Sequence, residues 1–218
     1  MVDFKTKLLS VSFESFFKVP VVWRELRPEE VAKKCLDAYS GYGLKSNQIA
    51  QRIGDALYNY DLSFPLFNGV GTFKISSEKL EMQFQNLISD KDSEIVADCV
   101  VRMCETVTLP EVAFTTISAS AHSLAESVDV LHSYLAKYSD PQKQIVLGGA
   151  IAYLRCQSWP EEIRLLVDRS LMFNEGLFLN WITNANKGKL DHKDLKSLTE
   201  VFTEAAGKLG IKFVGGEQ

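Results

Sequence analysis

The sequence predicts an α+β fold in which a β-α-β-β-β-α unit occurs twice, forming a largely antiparallel sheet with helices packed on one face. Three observations predict it. Segments with apolar residues at every second position alternate with segments where they recur every third or fourth position, the two periods of strand and helix. The order of these segments repeats at an offset of about a hundred residues. The charge is also shared evenly, each half of the 218 residues carrying half of the net −4.

The first unit opens at Leu8 to Phe17, where Leu9, Val11, Phe13 and Phe17 alternate with Ser10, Ser12 and Glu14. Pro28 starts a helix, with Glu29 and Glu30 in the first turn, where the helix dipole favours acids. Val31, Ala32, Cys35, Leu36 and Tyr39 are its apolar stripe, and Gly41 and Gly43 stop it. A short helix over 46–53 uses Ile49 and Ile53. Leu57 to Leu66 alternates again, Asn68-Gly69 signals a turn, and 70–77 with 80–87 form a hairpin. Ser93 is the expected N-cap of a helix running to about residue 106.

The second unit repeats the order. Val112 to Ser123 is a long strand and Ser127 to Tyr138 a helix. Gln144 to Cys156 is a strand interrupted by Gly148-Gly149. Ile163 to Met172 and Leu177 to Thr183 form a hairpin around Asn174-Glu175-Gly176. Asp191, with Asp194 three residues on, caps a last helix that buries Leu195, Leu198, Phe202, Ala205 and Leu209 and ends at Gly210. The whole chain, 1–218, then reads as a single pseudo-symmetric domain with repeat units of about 1–108 and 109–218.

The units differ in their strands. Those of the first keep a polar face: Ser10, Ser12, Glu14, Asn59, Asp61, Thr72, Lys74, Glu81, Gln83 and Gln85. Those of the second carry apolar residues on both faces, as in 145–154, Leu165 to Val167 and Leu177 to Ile182. Helices on one side cover only one face, so the other needs the first half, a partner subunit or a ligand.

Composition excludes several classes. The 46% hydrophobic and 24% charged residues describe a globular chain, neither a disordered acidic tail nor a polybasic arm. There is no apolar run long enough to span a membrane and no signal-peptide pattern at the N-terminus, so the expectation is a cytoplasmic protein with reduced thiols. Cys35, Cys99, Cys104 and Cys156 form no C-x-x-C pair, and His122, His132 and His192 lie far apart. No metal or cofactor is expected. Gly69-Val70-Gly71 and Gly148-Gly149 do not precede a helix N-terminus, so neither is a phosphate cradle.

The leading expectation is a non-enzymatic binding or assembly protein acting through protein–protein contacts of its second-half sheet surface, as a homo-oligomer or with a protein partner. Trp23, Tyr153, Leu179 and Trp181 are the expected interface residues. The alternative is a small apolar ligand held between sheet and helices, oriented by Arg155, Asp168 and His122. Catalysis would require His122 and Cys156 to meet with a carboxylate. DNA binding would use residues 29–54 as a helix-turn-helix, with Asn47, Gln48, Gln51 and Arg52 reading base edges. Acids offset the bases around that segment, against the phosphate-neutralising charge such a unit needs.

Overall fold

The structure is a computed structural model, and it describes residues 2–22, 27–54, 60–87, 90–107, 110–138, 149–156, 159–185 and 189–214. It is α+β, with ten strands and four α-helices among these residues. In chain order the elements are β1 (Val2–Phe17), α1 (Pro28–Tyr39), β2 (Ala50–Ile53), β3 (Tyr60–Leu66), β4 (Gly71–Ser76), β5 (Lys79–Leu87), α2 (Asp90–Thr106), β6 (Val112–Leu124), α3 (Val128–Leu135), β7 (Gly149–Arg155), β8 (Glu162–Arg169), β9 (Gly176–Ala185), α4 (His192–Lys208) and β10 (Ile211–Val214). The meander β2-β3-β4-β5 and the meander β7-β8-β9 are antiparallel throughout, whereas β10 pairs β1 in parallel.

The chain forms two compact units that interleave along the sequence. One comprises 11–117 and 184–195, the other 1–10, 118–183 and 196–218. They are named here the β2–β5 unit and the β7–β9 unit. Neither coincides with a sequence half, because β1 and β6 each supply residues to both.

In the β2–β5 unit, burial follows the strand period. Leu62, Phe64, Phe73, Ile75, Leu80, Met82 and Phe84 are buried, while Thr72 and Lys74 between them are exposed. Phe64 stacks on Phe73 at 4.5 Å between ring centroids, and Tyr39 of α1 packs on Phe64 at 6.1 Å. The Tyr39 hydroxyl donates to the Cys99 carbonyl of α2 at 2.9 Å, which satisfies the one polar atom that side chain buries. The other face holds a polar network. Lys79 Nζ donates to Glu14 at 2.6 Å and lies 3.1 Å from Glu81. Partial burial works against the ammonium charge, but the bonds to these two carboxylates outweigh it and raise the Lys79 pKa.

In the β7–β9 unit, Ile163, Leu165, Val167, Leu177 and Leu179 are fully buried. Trp181 stacks on Phe202 of α4 at 5.9 Å, and Phe4 meets Tyr134 of α3 edge-on at 5.5 Å. The helix ends follow the local chemistry of the sequence. Ser127 caps α3 by accepting the Val130 N–H, and Asp191 and Asp194 each accept the other's backbone N–H at the start of α4. Gly210 ends α4 at φ +77, in the left-handed region that glycine enters without strain.

Several expectations change. Residues 46–53 are not a helix: Ser46–Gln48 is a single 3-10 turn, and Ala50–Ile53 is β2, paired with Tyr60–Ser63. An isolated eight-residue helix gains too few hydrogen bonds to offset nucleation, and the free edge of β3 supplies a better ladder. Ser93 lies inside α2, which starts at Asp90. β1 begins at Val2, and β10, which lies beside it, was not expected. The positions 57–59 and 144–148 expected in strands, and Trp23, fall outside the described residues.

Replacing Phe73 with Ala is expected to destabilise the protein by about 3–5 kcal/mol through the cavity it opens. Thr72→Ala, one residue away on the exposed face, is expected to change stability by no more than about 0.5 kcal/mol. Urea unfolding of the two variants beside the wild type measures the difference.

Candidate functional site

Strand alternation assigns the face of the β7–β9 unit that points away from its helices. Leu166 lies opposite Ile151 on β7 and Asn180 on β9, Arg164 opposite Tyr153 and Ile182, and Asp168 opposite Gly149 and Phe178. These rows form the outer face, since Ile163, Leu165 and Val167 take the buried one. Ile151 is 60% exposed and Tyr153 67% exposed. At the β8–β9 turn, Leu171 is fully exposed and Met172 60% exposed. Beside that turn an open hollow of about 390 Å³ is lined by Leu124, Met172, Phe173, Asn174 and Glu175.

Among the described residues, β7 pairs only with β8 and β2 only with β3. These two edges differ in chemistry. β2 is four residues long, with Gln51 and Arg52 exposed, a short polar edge of the kind that resists further pairing. β7 is seven residues long, and its only charged residue is the last, Arg155. An apolar seven-residue edge is a template for another strand. The Asn180 Oδ1 atom, on β9 two strands in from that edge, is buried with no hydrogen-bond partner among the described residues. Such an acceptor costs about 1–3 kcal/mol until it is satisfied.

The predicted site residues do not form one cluster. Asp168 pairs in register with Gly149 and Arg155 with Glu162, so Asp168 and Arg155 stand at opposite ends of the β7–β8 ladder. Six residues of strand separate those ends, about 20 Å at ~3.3 Å per residue. Both belong to the outer face, so neither can orient a ligand held between strands and helices. The Asp168 carboxylate accepts the Arg169 N–H at 2.7 Å. Leu179 and Trp181 are 0% and 4% exposed. Both side chains lie in the core, Trp181 against Phe202 of α4, whereas Tyr153 is on the surface.

His122 joins the Asp168 end. Its ring lies 4.9 Å from that of Phe178, and its Nδ1 is 2.9 Å from Ser170 Oγ. Ser170 Oγ also accepts the N–H groups of Met172 and Phe173, each at 3.1 Å. With its lone pairs so used, the hydroxyl donates to His122 Nδ1, and the neutral ring carries its proton on Nε2. Gly176 closes the same turn: an added Cβ would lie 2.6 Å from Ser170 Cβ and 2.7 Å from Phe173 Cβ. Cys156 sits at the other end of β8, where its N–H donates to the Glu161 carbonyl. A Cys156–His122 pair therefore does not form.

The helix-turn-helix reading of 29–54 also loses its second helix. Asn47, Gln51 and Arg52 are exposed, but on a turn and an edge strand. One cluster went unforeseen, in the β2–β5 unit. Tyr42 donates its hydroxyl to Asp98, Arg102 Nε donates to the same oxygen at 3.0 Å, and His192 Nε2 is 3.9 Å from the other oxygen. The hydrogen bonds from Tyr42 and Arg102 hold the Asp98 carboxyl below its usual range. Only the i,i+4 spacing of Asp98 and Arg102 is visible in sequence.

Comparison of the chain with protein-family models and with curated proteins finds no match.

Burial pushes the Cys35 and Cys99 thiols up to about 12 and raises that of Cys104, so these three behave as apolar core groups. Cys156 is half-buried, and its thiol is raised by burial too. In the folded protein at neutral pH a small thiol reagent is expected to label Cys156 alone, slowly, and all four cysteines once urea is added. Mass spectrometry of the labelled chain reads the result; labelling of Cys35 or Cys99 without urea would contradict the packing.

Burial also lowers the His122 pKa from its ordinary 6.5. The unfolded chain then takes up this proton before the folded one. The stabilisation is complete above pH 6.5 and is lost as pH falls through the lower folded value. The urea midpoint is expected to fall between pH 7.5 and 5.5 by more in the wild type than in His122→Gln.

Proposed function

We propose that this is a non-enzymatic binding or assembly protein that acts through protein–protein contacts of the outer face and free edge of β7, β8 and β9. The observation that carries the reading is the contrast between the two units. The outer face of the β2–β5 unit is closed by the Glu14–Lys79–Glu81 network, whereas the corresponding strands of the β7–β9 unit expose Ile151 and Tyr153 beside Leu166. Exposed apolar residues grouped on one strand edge favour a macromolecular partner. The separation of His122 from Cys156, and of Arg155 from Asp168, supports recognition over chemistry.

The proposal includes a scaffold built by duplication. Its support is the element order, β1-α1-β3-β4-β5-α2 followed by β6-α3-β7-β8-β9-α4, with β2 as an addition to the first copy. The strand sequences β3-β4-β5-β1 and β7-β8-β9-β6 are alike in the same way. Among the described residues no helix is long and apolar enough to cross a membrane. The compartment proposed is the cytoplasm, with which four free cysteines agree.

The double substitution Ile151→Glu, Tyr153→Glu tests the reading. Native mass spectrometry and light scattering are expected to show the wild type in a protein complex and the variant as a folded monomer of unchanged circular dichroism. A wild type that is monomeric and unaccompanied at all concentrations would sink it.

A further inference from the structure

Among the described residues the outer edge of β7 is unpaired, and it is complementary to itself. In an antiparallel pair, directly opposed residues point to the same face. The outer residues of β7 are 149, 151, 153 and 155, so an odd position must oppose an odd position. Centring the pairing on Ala152 opposes all seven residues of 149–155: Ala152 with its own copy, Ile151 with the partner's Tyr153, and Arg155 with the partner's Gly149. Sliding by one odd position leaves two residues of each strand unopposed. The centred register sets the two exposed apolar side chains against each other twice, as an aliphatic–aromatic cross-strand pair.

Charge selects the same register. Within one chain Arg155 and Asp168 are at opposite ends of the β7–β8 ladder, and Gly149 is the residue opposite Asp168. Opposing Arg155 to the partner's Gly149 therefore places it in one row with the partner's Asp168, across a position that has no side chain. Two strand spacings make about 10 Å between Cα atoms, which an extended arginine and an aspartate can bridge. On its other side Arg155 has Glu162 of its own chain opposite it on β8. The twofold axis repeats the arrangement, so two arginines each meet two carboxylates. A glycine ordinarily weakens a strand, and here it opens the path for the charge pair.

From these observations, and resting on the binding reading above, we propose that the partner is a second copy of this chain, joined by antiparallel β7–β7 pairing about a twofold axis at Ala152. The interface is isologous and closes on itself, so it caps the exposed edge without propagating into a fibre.

The test uses the full chain with Cys156→Ser as background. Ala152→Cys is expected to form a disulfide-linked dimer under mild oxidation, whereas Ile151→Cys, two positions out of register with its own copy, does not. In light scattering over a concentration series, Arg155→Asp and Asp168→Arg are each expected to weaken the dimer by about ten-fold or more, since each sets like charges face to face at two symmetric places. The combined R155D, D168R variant is expected to recover most of the affinity. These charge variants keep the question open to measurement even if Ala152→Cys fails to fold. A dimer that does not cross-link at 152, or that is indifferent to the charge reversals, overturns the pairing. A complex that is lost in the Ile151→Glu, Tyr153→Glu variant but contains a different protein and no homotypic cross-link overturns self-pairing and leaves the binding reading standing. A lone monomer overturns both.

Discussion

Phe64 and Phe73 lie stacked under Tyr39 in one unit, and in the other Trp181 stacks on Phe202 beside its buried register partner Leu165. This burial of one strand face against helices is the interaction on which the rest of the protein depends. It supplies the apolar area that holds each unit together, roughly 1.5–3 kcal/mol for each large side chain taken from water. It also creates a problem, because alternation sends every second side chain to a face the helices do not reach. A face left in water must be polar or must find cover. The β2–β5 unit takes the first course, with Thr72, Lys74, Glu81 and Gln83 outward and the Glu14–Lys79–Glu81 bridges among them. The β7–β9 unit takes it only in part, since Arg164, Asp168 and Asn180 share their rows with Ile151, Tyr153, Leu166, Phe178 and Ile182.

That contrast was legible in the sequence because it depends only on period. Alternation at 60–66, 71–76 and 79–87 predicts which side chains are buried, and the 3–4 spacing of Val31, Cys35 and Tyr39 predicts the helix face that meets them. The cap at Asp191 was equally legible, because a cap is a local bond between residues three apart, whereas the helix expected to start at Ser93 begins at Asp90. What could not be read is whatever depends on register. Arg155 and Asp168 were expected to orient one ligand, since both are charged residues on neighbouring apolar strands. Their separation is set by where β7 begins, at Gly149, and no pattern of period two encodes that offset. Likewise Leu179, Trp181 and Tyr153 all looked like candidates for a surface. Only the pairing Leu165–Trp181 and Val167–Leu179 assigns the first two to the core, and Arg164–Tyr153 assigns the third to the outside.

Tertiary pairing also overrode local preference at two places. Ile49 and Ile53 have helical spacing, yet 50–53 becomes a strand because the edge of β3 offers a ladder. Val2 to Leu9 is a mixed run with Asp3, Lys5 and Lys7 in it, yet it extends β1, where β10 runs alongside in parallel. In both cases a weak segment adopts the conformation that a neighbouring strand can satisfy, which is the general reason that short elements are less predictable than long ones. The Tyr42–Asp98–Arg102 cluster shows the same limit for polar groups: its i,i+4 pair is local, but the tyrosine that completes it comes from the turn after α1.

The two ends of the strand series bring these points together. Sheet edges are hazards that proteins blunt with short strands and charge. β2 is blunted in both ways. β7 is blunted in neither until its last residue, and that residue is an arginine whose in-register neighbour is Glu162 and whose farther counterpart, Asp168, lies beyond its reach in the same chain. An edge left open by chance would be expected to carry its apolar residues without regard to symmetry. Here Ile151 and Tyr153 sit one residue either side of Ala152, and Gly149 and Arg155 three residues either side, so reversing the strand about its centre sets the aliphatic side chain on the aromatic one and the charge over the gap. The net charge of each sequence half conceals this, because the same −2 covers a closed network in the first half and a divided pair in the second. Under the proposed pairing, placement of charge along one strand, and not its amount, distinguishes the edge of β7 from that of β2.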